Sequence, residues 1–132
     1  MTELTQEQIY AQKHWEKHLL KSGDVVWAKL NGKYRPVVIA QNAHTGFRSE
    51  IVMAIPLSQS EAKIADHVHP VLPAGVLKED TASALLTEQI QPISKLDISI
   101  DLSDYVSGES YDYNHNVYPS VERSLLSLIL PD

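Results

Sequence analysis

The chain has no cysteine among its 132 residues. That excludes disulfides, thiolate zinc sites, iron–sulfur clusters and cysteine nucleophiles, and it accords with a reducing compartment. Long apolar runs are missing too: nothing approaches the roughly 18 to 20 residues that a bilayer-crossing helix needs. The opening residues Met1, Thr2, Glu3, Leu4 and Thr5 lack the basic-then-apolar build of a signal peptide. We therefore expect a cytoplasmic protein with no membrane attachment. Positive charge is scarce. Eleven Lys and Arg against 17 Asp and Glu give a net charge of -6, the wrong sign for holding nucleic acid by broad phosphate neutralisation. Any nucleic-acid site must be local, a few cations around one phosphate on an otherwise acidic surface. With 43% apolar residues and only five glycines, the chain supports one hydrophobic core, a single domain spanning 1–132 with decorated ends.

What is present falls into a clear order. Thr5 and Gln8 make a capping-box pattern, and Ala11, Trp15 and Leu19 follow at helical spacing, which predicts an amphipathic helical extension over 5–21. After Lys21-Ser22-Gly23 the character turns to β: Asp24 to Leu30 and Tyr34 to Gln41 are rich in Val, Ile, Trp and Tyr. Between them Asn31-Gly32 suits the positive backbone angles of a tight hairpin turn. Pro36 lacks an N–H and belongs near a strand start or on an edge. Asn42 to Ser49 reads as a surface loop, and Glu50 to Leu57 as a strand buried on both faces. Further short strands are expected near His67 to Leu72 and Ala84 to Thr87, separated by Pro73-Ala74-Gly75 and Lys78-Glu79-Asp80. The barrel core would run over 23–98 and the fold class would be mainly β with flanking helices, a small SH3-like β-barrel. The stretch 99–116, with four acids and three tyrosines, reads as a variable insertion. Val121, Leu125 and Leu128 then predict an apolar C-terminal helix over 119–130 that must pack on the barrel or a second subunit.

Several blocks resemble one family. Gly23-Asp24-Val25-Val26-Trp27, then Arg35-Pro36-Val37-Val38-Ile39 with Gln41-Asn42, is similar to the opening of the MazF/PemK (Kid-like) toxins of type II toxin–antitoxin systems. Ile55-Pro56-Leu57-Ser58, the acidic Leu77-Lys78-Glu79-Asp80 and Leu85-Leu86-Thr87-Glu88-Gln89-Ile90 follow in the family's order. The resemblance implies an SH3-like barrel with a C-terminal helix, a homodimer, a cognate antitoxin as partner, and metal-independent, sequence-selective cleavage of single-stranded RNA without a cofactor. The chain departs from the family at two places. The longer first-hairpin loop is cut to Asn31-Gly32-Lys33, and Gln91 stands where an Arg commonly follows the Glu-Gln-Ile block.

Metal-free RNA cleavage uses the neighbouring 2'-hydroxyl as nucleophile, so the site needs a base, an acid for the leaving 5'-oxygen and a cation for the charge building on phosphate. Arg35 falls on the family's catalytic arginine, and its guanidinium fork matches a phosphate; on its own it reads as a surface ion-pairing residue at a strand start. Ser58 falls on the family's Ser/Thr position, where a hydroxyl can bond the scissile phosphate or the 2'-oxygen. Its plainer reading is a turn serine ending a strand, and Ser60 could take the same role. Glu88 matches an acidic position and could orient Arg35 or act as the base; as a lone carboxylate it is more often a structural partner. Lys33, Tyr34, Gln59 and His67 are the candidate RNA contacts, with Lys29 and Arg48 adding positive potential.

His67 and His69 alternate, so on a strand they would face one side and, with His44, supply proton-transfer groups. No third ligand is specified, so no metal site is expected. His14 and His18 share a helix face without a zincin glutamate and read as solvated. Two other classes compete. Gly23 to Leu30 followed by Lys33-Tyr34-Arg35-Pro36 also resembles a non-catalytic PWWP-like module, whose methyl-lysine cage would need Trp27, Tyr34 and Phe47 to converge. A CcdB-like gyrase inhibitor would instead present Leu126, Ile129 and Leu130 as an apolar surface.

Overall fold

The computed structural model describes residues 3–17, 20–40, 51–77, 81–101 and 105–129, without the side chains of residues 16, 17 and 129. The expectations for Leu19, His18, His44, Phe47, Arg48, Gln41-Asn42 and Lys78-Glu79-Asp80 lie outside them. Helix α1 spans Gln6–Lys17. Its capping box is made reciprocally: the Thr5 amide donates to Gln8 Oε1 at 3.0 Å, and the Gln8 amide donates to Thr5 Oγ1 at 3.1 Å. Two of the four orphan amides of the first turn are thereby satisfied.

Strands β1 (Val25–Leu30) and β2 (Lys33–Ile39) form the expected hairpin, with Leu30 opposite Lys33. Asn31 at φ 51° and Gly32 at φ 83° make the two-residue turn whose twist matches the strands. Pro36 lies where β2 has only β1 beside it, since pairing to β3 (Ile51–Ser58) begins at Val37↔Pro56. A short helix α2 (Glu61–Ala65) leads to β4 (Val71–Leu72) and β5 (Ser83–Leu85); then come a 3-10 turn Thr87–Gln89 and β6 (Gln91–Ser94). The antiparallel sheet runs β1-β2-β3-β5-β4, with β6 pairing the other half of β3.

Three expectations need correction. Among the described residues the ladder does not close into the SH3-like barrel; the free edge of β1 is met only by isolated bridges at Ile98 and Val106. The strand expected over His67 to Leu72 shrinks to Val71–Leu72, because Asp66 turns the chain through residues 66–69. Strand β6 was not anticipated, and the outer end of β3 is not buried on both faces: Ile51 is exposed.

Alternate positions of each strand feed two cores. On one face Val26, Ala28, Val37, Ile39, Val52 and Ala54 pack beneath Ala11, Trp15 and Leu20, and the Trp15 indole reaches the Ile98 carbonyl at 3.5 Å. On the other face Val25, Val38, Ile55 and Leu85 pack beneath Tyr113 of α3 (Tyr113–Asn116), Val121 of α4 (Tyr118–Ile129) and Val117, which joins the two helices. Within 99–116, read from sequence as a variable insertion, Tyr113 is therefore core. Buried Asp24 ties that tract to the sheet. Its carboxylate accepts from the Lys21 amide at 2.9 Å, the Gly108 amide at 3.0 Å and the Tyr105 hydroxyl at 2.8 Å, and the Tyr111 hydroxyl donates to the Gly23 carbonyl. Burial, aided by the Asp24 charge, pushes the Tyr105 phenol well above its ordinary range. Gly23 adopts φ 92°, and a Cβ there would fall 2.4 Å from Tyr113 Cγ.

Candidate active site

The register brings two of the sequence candidates into line. Cross-strand pairs share a face; β2 and β3 are last paired at Val37↔Pro56, and two positions further along both strands stand Arg35 and Ser58. Each also has a paired neighbour on its outer side: Arg35 opposes Ala28 on β1, and Ser58 opposes Ala84 on β5. Both lie on the α1 side of the sheet, in phase with Val37 and Ala54. Arg35 is exposed and, among the described residues, makes no ion pair, so its guanidinium is available to an anion. Ser58 Oγ accepts the Ser60 amide at 3.2 Å. The hydroxyl thus holds the strand-to-helix turn through its oxygen, while its proton stays available for donation. Ser60 contributes its backbone here and its side chain forms no cap.

Glu88 is not joined to Arg35. It belongs to a second cluster built by α2, the 66–69 turn and the 87–89 turn. His69 Nδ1 is 2.6 Å from Asp66 Oδ2, His69 Nε2 is 2.8 Å from Glu88 Oε2, and Lys63 Nζ is 3.9 Å from Glu88 Oε1. An ionised carboxylate only accepts, so an imidazole with one at each nitrogen carries both protons. Desolvation of the ring opposes that charge, but the hydrogen bonds and charges of Asp66 and Glu88 outweigh it and raise the His69 pKa above 6.5. Asp66 is held down at about 2, chiefly by the backbone amide of His69, then by the Val68 amide and the ring. His69 keeps only 11% of its side-chain exposure. Reading 67 and 69 as strand alternation missed this cluster; the sequence signal for it is Asp66 three residues ahead of His69, a spacing at which a carboxylate caps a turn. His67 takes φ 60° and stays exposed, apart from the cluster.

The remaining candidates divide between two hollows. Gln59 lines one of about 220 Å³ with Trp27, Pro36, Leu57, Leu77 and Ser83. Lys33 and Tyr34 stand exposed at the hairpin tip, and Tyr34 lines a separate hollow of about 580 Å³ beneath α1, together with Lys29. Trp27 and Tyr34 line different hollows, and Phe47, the third ring of the PWWP-like cage, lies outside the described residues. Among the described residues no three His, Asp or Glu side chains are arranged to hold a metal ion, and no helix is long and apolar enough to cross a membrane.

Comparison with known proteins agrees with this architecture. No curated protein sequence matches the chain significantly. Among solved structures, an endoribonuclease of a mycobacterial species in complex with its cognate antitoxin aligns with TM-score 0.61 at 17% identity, over 85% of this chain and 97% of that one. The Mycobacterium tuberculosis toxin MazF-mt6 aligns with TM-score 0.57 at 16% identity, over 82% and 98%. A chain of the Deinococcus radiodurans MazE–MazF structure gives 0.59 at 14%, over 87% and 99%. At these identities the likeness establishes a shared fold. The sequence model described as PemK-like, MazF-like toxin of type II toxin–antitoxin systems matches residues 21–108, two thirds of the sequence, and the chain belongs to that family.

Proposed function

We propose that this chain is a toxin-type endoribonuclease that cleaves single-stranded RNA sequence-selectively and without a metal ion. The observation carrying the proposal is that Arg35 and Ser58 are in phase on one face of the sheet, each two residues beyond the last β2–β3 pair, Val37↔Pro56. In the reaction the RNA 2'-oxygen attacks the adjacent phosphorus and the 5'-oxygen leaves with its electron pair, giving a 2',3'-cyclic phosphate. Charge accumulates on the phosphate oxygens during attack, and Arg35 stabilises it with paired N–H donors. Ser58 donates its free proton to the same phosphate. Glu88, oriented by His69 and Lys63, takes the proton of the 2'-hydroxyl, and solvent returns one to the leaving oxygen. Lys33, Tyr34, Gln59 and His67 contact the RNA on either side.

Family membership supports a cognate antitoxin as partner and the cytoplasm as the working compartment. Exposed Leu126 and Leu128 on α4 support a homodimer that covers them. The bridges along β1 support reading the sheet as an SH3-like barrel left open at that seam.

The test is incubation with a mixed-sequence single-stranded RNA in EDTA. Cleavage to 2',3'-cyclic phosphate ends is expected, and Arg35→Ala should lower the rate about 10²- to 10³-fold, the usual effect of removing a charge-stabilising donor, without changing the unfolding midpoint. Intact RNA after prolonged incubation with folded wild-type protein would defeat the reading.

A further inference from the structure

Helix α1 precedes residue 21, where the family match begins. Its N-terminal half, the segment 96–100 and the outer end of the β1–β2 hairpin line the hollow of about 580 Å³, a volume within the roughly 300 to 1,000 Å³ typical of ligand sites. Two large rings line it without entering the core: Tyr10 is 65% exposed and Tyr34 49% exposed. Lys29 lies at its rim and Gln6 presents an amide. Tyr34 is one residue from Arg35 along β2, and their side chains alternate across the sheet, Arg35 in phase with Val37 and Tyr34 paired with Lys29.

We propose that this hollow is a second single-stranded RNA site, in which Tyr10 and Tyr34 stack bases and Lys29 meets the backbone phosphate; the inference rests on RNA being the substrate. Exposed aromatic faces flanked by a cation form the sequence-tolerant platform on which unpaired bases stack. Glu7 and Asp97 also line the hollow and repel phosphate. The backbone must therefore run along the Lys29 side, with base edges directed at the carboxylates. A carboxylate accepts from exocyclic amino groups, as it does from cytosine N4, so adenine and cytosine are favoured over uracil, which has no amino group. Gln6 adds a donor and an acceptor to the same edge. The site would set which flanking sequence is held, separately from the chemistry at Arg35.

Binding of 2'-O-methyl oligonucleotides, which lack the nucleophile and stay intact, can be followed by fluorescence anisotropy in wild type, Tyr10→Ala and Tyr10→Phe. Tyr10 is an exposed helical residue, where alanine is the best helix former, so the variant folds. Each stacked base is worth about 1 to 3 kcal/mol by alanine substitution, which is about a 5- to 150-fold rise in Kd. We expect a rise in that range for Tyr10→Ala, near-wild-type binding for Tyr10→Phe, and a preference for oligo-A or oligo-C over oligo-U that weakens in Tyr10→Ala. Unchanged affinity and base preference in Tyr10→Ala, with Arg35-dependent cleavage intact, would overturn this site and leave the nuclease reading standing. Wild-type protein that binds a basic peptide in the hollow and no RNA overturns both.

Discussion

Gly23 and Asp24 sit side by side, yet they constrain the molecule in different ways. Glycine is needed at 23 because φ is 92° and Tyr113 occupies the place of a side chain. Left-handed backbone costs about 1 to 2 kcal/mol for other residues, and forced overpacking about 1 to 3. Gly23→Ala should therefore lower unfolding free energy by about 2 to 5 kcal/mol, read from urea titration. Asp24 acts through charge: it takes two amides and a phenol, and removing it strands buried donors. His69 adds a pH signature. Its raised pKa contributes stability that is whole below 6.5 and is lost as pH climbs through the raised value. Asp66, lowered from 3.8 to about 2, contributes stability that is whole above 3.8 and is lost as pH falls toward 2. Together they give a window between pH 3.8 and 6.5 in which the cluster is fully effective. The urea midpoint of wild type should fall on the alkaline side of that window, and His69→Gln should remove that slope; an equal alkaline slope in the variant would exclude His69 as its source. The candidate site residues are assigned one by one through the family pattern. Their grouping was not legible, because it depends on which strands pair across residues 41–50 and on a carboxylate that turns the chain at Asp66.

Elements were legible where their determinants are local. The Thr5–Gln8 cap and the Asn31-Gly32 turn are specified within four residues, and both formed as read. Helix α4 also formed, over Tyr118–Ile129 with Pro119 in its first turn, held by Val121 in the core and by a 2.5 Å contact between Ser124 and Thr87 hydroxyls. Strand β6 escaped because Gln91-Pro92 carries neither alternation nor β-propensity; its pairing with β3 alone makes it a strand. The tyrosine tract escaped because its partners are distant: Tyr111 bonds Gly23, 88 residues away. Helix α1 was legible as a helix, although only the structure places it on the sheet. Trp15 is 3% exposed there, so Trp15→Ala should cost about 3 to 5 kcal/mol. Thermal unfolding would show it. A change below about 1 kcal/mol would mean that α1 is a loosely attached appendage.

For the whole molecule the net charge of -6 limits how the proposed RNA substrate could be held. The cations placed nearest the proposed RNA contacts are Lys29, Lys33 and Arg35. If these three meet phosphates, the logarithm of affinity should fall with the logarithm of salt at a slope of about -2, at roughly 0.7 per phosphate for single strands. Titration of RNA binding between low and moderate salt measures it. A slope several-fold steeper would require a broad basic surface, at odds with the net charge of -6.

The two ends of the family-matched span, at residues 21 and 108, meet at one carboxylate: the Lys21 and Gly108 amides both donate to Asp24, and Lys21 pairs with Glu109 at 3.6 Å just outside. The span is thus knotted into a loop by its own boundary. Everything added to it, α1 on one side and α3 and α4 on the other, branches from a single junction and spreads over opposite faces of the sheet. Such a junction works like a coupling: segments attached there can be lengthened, exchanged or given new recognition duties while the register between β2 and β3 stays as it is.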